Sequence, residues 1–457
     1  MIPMHCVGIQ PITIIKNAMP LIGNTKQKIQ SRLAQTHSAV MIIFVGCAAM
    51  MTYFSMYAFR KPFSAATYSD VDQLIFSLDY KTLLVITQVI GYALSKFIGI
   101  KLIAEMPAHK RIQTLLAMMG IAQLALVSFA LIPTPWNIIA IFFNGLPLGF
   151  IWGLVFAFLE GRRVSEALGV ILGVSLIFSS GVVKSLGRYL LLEWQIPDLW
   201  MPATMGFLFL PLLFIAVFAL SCAPPPNHED QAHRQTRITM NLSERLHFFG
   251  RYWFGLLLLV ASYVIFTSLR EFIDNFSPEI FTGLGFESSS IVYTSTILPV
   301  TFVVMGLMLG LMFIKNNLIA LHLNSTLALF GFMTIALSTL AFQFGYLSGL
   351  GWMTLLQMGI YAGFMPFNCL LFDRLIAATP TLGNAGFLMY IADSSGYLGS
   401  VLIMLYRATA STQLDWVDFV ADMSVVSSFM GMAFLLMSMS YFHWVLASQG
   451  RTITSRA

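Results

Sequence analysis

Long apolar runs follow one another along the chain, separated by short polar connections. Twelve of the runs are long enough to cross a bilayer as helices, since about 20 apolar residues span the hydrocarbon. They lie near residues 39–60, 80–103, 112–132, 136–159, 165–190, 200–221, 252–274, 288–314, 318–341, 346–371, 384–408 and 422–446. One connection is longer than the rest. From Cys222 to Arg251 the chain reads Ala-Pro-Pro-Pro and then a polar stretch rich in His, Glu, Asp and Gln, the composition of a linker. The pattern predicts a poorly ordered N-terminal segment over 1–37, a six-helix bundle over 38–221, a linker over 222–250, a second bundle over 251–446 and a tail over 447–457.

Motifs recur between the two sets of six spans. Gly145-Leu-Pro-Leu-Gly149-Phe150 in span four returns as Gly359-Ile-Tyr-Ala-Gly363-Phe364 in span ten, 214 residues on. Ser179-Ser180-Gly181 in span five returns as Ser394-Ser395-Gly396 in span eleven, 215 residues on. Arg60 and Arg270 are 210 residues apart. Three echoes at nearly one offset argue for a duplicated unit. The expected fold is an all-α membrane protein of twelve helices in two pseudo-symmetric six-helix bundles, the plan of the major facilitator superfamily. That plan puts a substrate site at the repeat interface near the midplane.

Composition agrees. The chain is 58% hydrophobic and 10% charged, with a mean hydropathy of +0.80, which no soluble domain of 457 residues could hide. The four cysteines, Cys6, Cys47, Cys222 and Cys369, have no metal or disulfide spacing. The net charge of +5 is no sign of nucleic-acid binding, because the cations sit in membrane-flanking loops and at a few intramembrane positions. With the N-terminus inside, most lysines and arginines fall on the cytoplasmic side. The outer segments are acidic, with Asp70, Asp72, Asp79, Asp198, Glu279, Glu287, Asp415 and Asp418. This bias predicts cytoplasmic N- and C-termini. HExxH, GxSxG and P-loop motifs are absent, so neither an enzyme nor an ATP-driven pump is expected, and neither a cofactor nor a metal.

Ionisable groups within the spans carry the functional signal, because a charge at the bilayer centre costs about 2.5–3.5 kcal/mol on insertion scales. The cations are Arg60, Lys61, Lys96, Lys184 and Arg270; the acids are Asp393, with Glu271 and Asp274 near the outer end of span seven. A cavity lined this way favours an anion, and arginine offers carboxylate or phosphate a planar fork. Tyr53, Tyr57 and Arg60, spaced i, i+4, i+7, share one helix face, and tyrosine hydroxyls can assist at an oxyanion. Each residue also has a structural reading. Arg60 and Lys61 can mark the end of span one. Lys61 at the outer rim can pair with Asp274, and Lys96 with Asp393. Lys184 is either cavity-facing or structural. Phe59, Phe63 and Tyr68 read as an interfacial aromatic belt.

The Tyr53-x3-Tyr57-x2-Arg60-Lys61 stretch resembles the first helix of the organophosphate:phosphate antiporters, the bacterial glycerol-3-phosphate and hexose-phosphate transporters of the major facilitator superfamily. Gly91-Tyr-Ala-Leu-Ser-Lys96-Phe97 resembles their second helix, and Leu269-Arg270 with Ser277-Pro278 their seventh. Gly383-Asn-Ala-Gly386-Phe and Gly396-Tyr-Leu-Gly399 resemble their eleventh. The Tyr-Ala-Phe-Arg-Lys-Pro-Phe run is also similar to one in an uncharacterised group of bacterial membrane proteins. The resemblance implies Arg60 and Arg270 as anion ligands, helped by Lys96, Tyr53 and Tyr57, with substrate exchanged for phosphate by rocking of the two halves. Four features depart from that pattern. The loop after span two, Ala104-Glu105-Met-Pro-Ala-His-Lys110-Arg111, lacks the usual Asp-Arg signature. The histidine of span five has no counterpart, and Lys184 is the nearest ionisable residue. Asp274 falls one position before the family's aspartate, where this chain has Asn275. Asp393 is extra.

The expected function is secondary transport of an organic anion, with a phosphate ester exchanged for phosphate as the first candidate. Arg60, Arg270, Lys96, Tyr53, Tyr57 and Lys184 are the expected substrate contacts, and Asp393, Lys61 and Asp274 the coupling or gating groups. The expected partners are a small anionic solute and the lipid bilayer of a bacterial inner membrane, for a monomer that binds no nucleic acid. Two rivals remain: proton-coupled carboxylate transport through Asp393, and a transporter-fold anion sensor.

Overall fold

The computed structural model describes residues 24–68, 71, 78–104, 106–160, 162, 164–225, 242–379, 385–410 and 415–454. Residues 1–23 of the expected N-terminal segment, Asp70, Asp72, the linker over 226–241, Gly383 with Asn384, and the last three residues of the tail lie outside the described residues.

The long helices are α1 (Ser38–Arg60), α2 (Tyr80–Ala104), α3 (Arg111–Leu131), α4 in two pieces (Ile138–Leu148 and Ile151–Phe156), α5 (Ser165–Leu192) and α6 (Met201–Ser221). Then come α7 (Leu242–Asn275), α8 (Val292–Met312), α9 (Asn317–Gln343), α10 (Gly349–Pro366), α11 (Ala385–Ala410) and α12 (Trp416–Thr454). A π-helical turn, Phe367–Leu371, carries α10 on into Phe372–Ala378. Among the described residues, eleven helices are long and apolar enough to cross a membrane. The twelfth long helix, α2, carries Lys81 and Lys96 within its 25 residues.

Helix pairing repeats with a shift of six. The α1 helix packs on α5 and α6 as α7 packs on α11 and α12. The α2–α4, α3–α4 and α3–α6 pairs return as α8–α10, α9–α10 and α9–α12. The two bundles then meet along α5–α8 and α2–α11, which the same shift interconverts. Small residues allow the closest approaches. A Cβ on Gly145 would stand 2.4 Å from the Gln88 carbonyl oxygen, and one on Gly91 would stand 2.6 Å from that of Phe142, so α2 and α4 touch backbone to backbone.

Several boundaries differ from the sequence reading, which stopped where the apolar runs stopped. Residues 24–35 are helical rather than poorly ordered, and Gln30 donates to the Ala223 carbonyl at 3.0 Å. The α7 helix begins within the expected linker and α12 runs on to Thr454. A helix needs apolar residues only where it meets lipid, so its polar ends are invisible to a hydropathy window. The fourth span breaks at Gly149 and Phe150, two residues after Pro147, which has no N–H to donate. Phe59, Phe63 and Tyr68 form no lipid-facing belt. They are at most 4% exposed and belong to the core.

The end of α1 is held with particular care. The last carbonyls of a helix have no partner within it, and in an apolar interior each one left unsatisfied costs several kcal/mol. Asn144 of α4 donates to Phe59 O at 3.0 Å and to Ala122 O at 3.2 Å. Gln88 of α2 donates to Arg60 O at 2.8 Å and to Asn144 Oδ1 at 2.8 Å. These two amides fix the backbone that carries Arg60 and Lys61.

Candidate anion site

Arg60 ends α1 and Arg270 lies near the end of α7, the equivalent helix of the second bundle. Both guanidinium groups turn to the same atom. Arg270 Nη2 lies 2.8 Å from Glu271 Oε1, and Arg60 Nη2 lies 3.7 Å from it. Lys61 Nζ takes the other carboxylate oxygen at 3.3 Å and Asp274 Oδ2 at 2.5 Å. Lys184 of α5 bonds Asp274 Oδ1 and Asp274 O, each at 2.7 Å, and Ser277 Oγ at 2.9 Å. Asn275 accepts from Lys61 at 2.9 Å and donates to Glu271 O at 2.8 Å.

In this connected cluster four cations, Arg60, Lys61, Lys184 and Arg270, face two carboxylates, Glu271 and Asp274. The cluster is buried, with Arg60 2% and Arg270 8% exposed. Desolvation of so much charge is repaid only by close pairing. Aromatic faces take up part of the surplus. Arg60 Cζ stands 3.8 Å over the Tyr92 ring and Arg270 Cζ stands 4.2 Å over Phe364. Even so, the Nε atoms of both arginines are buried without a hydrogen-bond partner among the described residues. The site therefore has unused donors and unbalanced positive charge, the condition for taking in an anion.

Further along α2 lies a second pair. Lys96 Nζ is 2.6 Å from Asp393 Oδ2, and the Tyr263 hydroxyl donates to Asp393 Oδ1. Lys96 also sits 5.5 Å from the Tyr92 ring, so one ring has Arg60 and Lys96 as neighbours. Towards the end where α1 and α7 finish, Lys81 meets Glu279 at 2.5 Å and Arg188 donates to Glu287 O at 2.8 Å. Glu279 lies on the short helix Ser277–Gly283. Burial raises its carboxyl above the ordinary range, against the pull of the Lys81 ammonium.

Arg60, Lys61, Lys184, Arg270 and Asp274 thus come together, while Lys96 and Asp393 form a separate pair linked through Tyr92. Lys61 is not at a wet rim: it is 1% exposed. Tyr53 and Tyr57 are buried beside Arg60 on α1, their rings 5.6 Å apart. A cavity between α5, α7, α8 and α10 is lined by Arg270, Lys184 and Asp274; Arg60, Tyr53 and Tyr57 do not line it. The central role of Glu271, and those of Tyr92, Gln88 and Asn144, were missed from sequence. Their signal was a polar or ionisable residue inside an apolar run, without a spacing that names its partner.

A family model described as "Family of unknown function (DUF5690)" matches residues 62–444. No curated protein matches the chain. Solved structures do match. The crystal structure of a D-xylose–proton symporter aligns with a TM-score of 0.58 at 12% identity, covering 87% of this chain and 97% of that one. A bacterial homologue of the human lysosomal transporter Spinster, inward-facing and unoccupied, aligns with the same TM-score at 11% identity, covering 89% and 97%. The proton:xylose symporter XylE bound to 6-bromo-6-deoxy-D-glucose gives 0.58 at 13% identity, with the same coverage as the Spinster homologue. At such identities the likeness is one of fold: these twelve helices adopt the major facilitator fold.

Proposed function

This chain belongs to the DUF5690 family, and from the chemistry of its site we propose that it is a secondary transporter that carries a small organic anion by alternating access. The observation that carries the reading is the convergence of Arg60 and Arg270, one from each bundle, on a single buried carboxylate oxygen. An anion that replaces Glu271 there is gripped from both bundles at once. A ligand can shift a two-state protein only by binding its states unequally, and a grip that exists only when the bundles close does this. A phosphate ester exchanged for phosphate is the first candidate, because the surplus of two positive charges suits a dianion. We place it as a monomer in a bacterial inner membrane; the distribution of lysines and arginines supports cytoplasmic termini.

The test is thermal stability of the detergent-purified protein against phosphate, sugar phosphates, glycerol phosphate and small carboxylates, in wild type and Arg60→Lys. A selective ligand at 100 times its Kd adds about 2.7 kcal/mol. A phosphate-type shift that disappears in the variant is expected; an equal shift in both proteins would remove the arginine pair from the site.

A second reading is favoured by Asp393. It is a partly exposed carboxylate between Lys96 and Tyr263, a suitable place for a coupling proton, and two of the structural neighbours are proton symporters. Proton-coupled carboxylate uptake predicts steep pH dependence that vanishes in Asp393→Asn, whereas phosphate exchange predicts dependence on phosphate on the far side of the membrane.

A further inference from the structure

The cavity beside Arg270 is not accounted for by the arginine pair. A small cavity lies between helices α5, α7, α8 and α10. One wall is charged, with Arg270 and the Lys184–Asp274 pair. The remainder alternates apolar faces with uncharged polar groups. Ser180 and Thr296 are already engaged, Ser180 with Asp274 and Thr296 with Val292 O at 3.0 Å. Gln357 and Tyr361 differ. Both are on α10 and line the cavity, and neither side chain makes a hydrogen bond among the described residues. An amide offers two donors and an acceptor, and a phenol one of each. Unpaired within the described protein, both are free to bond water or to exchange it for the polar groups of a ligand.

The anionic head alone cannot tell one ester from another. Discrimination needs groups beyond the arginines. A site built to hydrogen-bond a hydroxyl strongly rejects an analogue that lacks it, because its own polar groups are then left unpaired. We propose that the cavity between α5, α7, α8 and α10 seats the uncharged, hydroxyl-bearing body of the transported anion, with Gln357 and Tyr361 as its specificity-determining residues and the anionic group at Arg60 and Arg270. This rests on the anion-carrier reading and says which part of the substrate is read where.

The experiment compares inorganic phosphate, glycerol phosphate and propyl phosphate by thermal shift on purified wild type, Gln357→Leu and Tyr361→Phe. In wild type, glycerol phosphate binds at least about tenfold more tightly than propyl phosphate. Both variants bring that ratio towards one and leave the response to inorganic phosphate unchanged. Tyr361→Phe keeps the ring, so its unliganded melting temperature serves as the folding control. Equal binding of the two esters by wild type overturns the proposal. So does binding of phosphate but of neither ester, or a variant that weakens phosphate as much as glycerol phosphate. Failure of wild type to respond to inorganic phosphate or to either ester sinks the phosphate-ester reading itself, and this inference with it.

Discussion

Arg60 and Arg270, 210 residues apart in the chain, share one oxygen atom, Oε1 of Glu271. A carboxylate thus occupies the seat proposed for an anionic substrate. Glu271→Gln removes the competitor and leaves four cations facing one acid. We expect the unliganded protein to lose about 3–5 kcal/mol, the cost of breaking a buried pair, and its affinity for phosphate to rise several-fold. Unfolding curves with and without phosphate measure both. A variant with weaker phosphate binding would mean that Glu271 positions the arginines instead of competing for them.

Replacement of either arginine by lysine keeps the charge and loses the fork. A hydrogen bond to a charged group contributes about 1.5–3 kcal/mol, so affinity should fall about tenfold to a hundredfold in Arg60→Lys and in Arg270→Lys. The convergent geometry requires that the two losses be comparable. Titration of each variant with the best ligand of the anion panel decides it.

Lys96 and Asp393 tie α2 to α11 across the bundle interface. Lys96→Gln or Asp393→Asn alone strands a partly buried charge and should destabilise the protein by a few kcal/mol. The double variant should recover part of that loss, with a coupling energy of about 0.5–3 kcal/mol in a thermodynamic cycle. Simple additivity would show that the pair is incidental.

Asn144 makes the structural counterpart of these charge tests. Asn144→Leu orphans Phe59 O and frees Gln88, at a cost of about 1–3 kcal/mol for each buried group left unpaired. Anion affinity should fall as well, because Arg60 hangs from the same turn. Undiminished affinity in the folded variant would mean that the turn holds by other contacts.

The pH dependence of stability can be signed at Glu279, which faces Lys81, with Asp79 also near. Its raised carboxyl means that the folded protein takes up a proton there more readily than an exposed glutamate does. The contribution to stability is therefore full below the exposed value, about 4.3, and is lost as pH rises through the raised one. Thermal unfolding of wild type across that interval should show the trend, and Glu279→Gln should abolish it. A trend of opposite sign would mean that the Lys81 attraction outweighs burial.

The fold was readable because lipid enforces a simple rule: apolar runs of sufficient length are helices, and their number and echoes give the two bundles. The arginines were readable for the same reason, since charge in such a run needs a cause. The Lys61–Asp274 and Lys96–Asp393 pairs were read as possible from sequence and both form, but that Lys184 shares Asp274, and that Glu271 joins Lys61 to the two arginines, could not be seen. Such sharing depends on which helices touch, and the residues concerned lie far apart in sequence. Glu271 was harder still. Next to Arg270 on one helix, it points about 100° away around the axis, and only the reach of the arginine side chain brings the two together. Gln88 and Asn144 were silent, because an amide in an apolar run has no spacing that names the carbonyl it serves.

The surplus of two positive charges in the buried cluster has an electrical consequence. A dianion in the seat makes the loaded core neutral, so the loaded protein can rearrange with little work against the membrane voltage. The empty core has no such cancellation. Each uncompensated charge moved through the full field is worth about 2.3 kcal/mol per 100 mV, so the electric field would act on any unladen transition and leave both legs of an exchange of dianions nearly untouched.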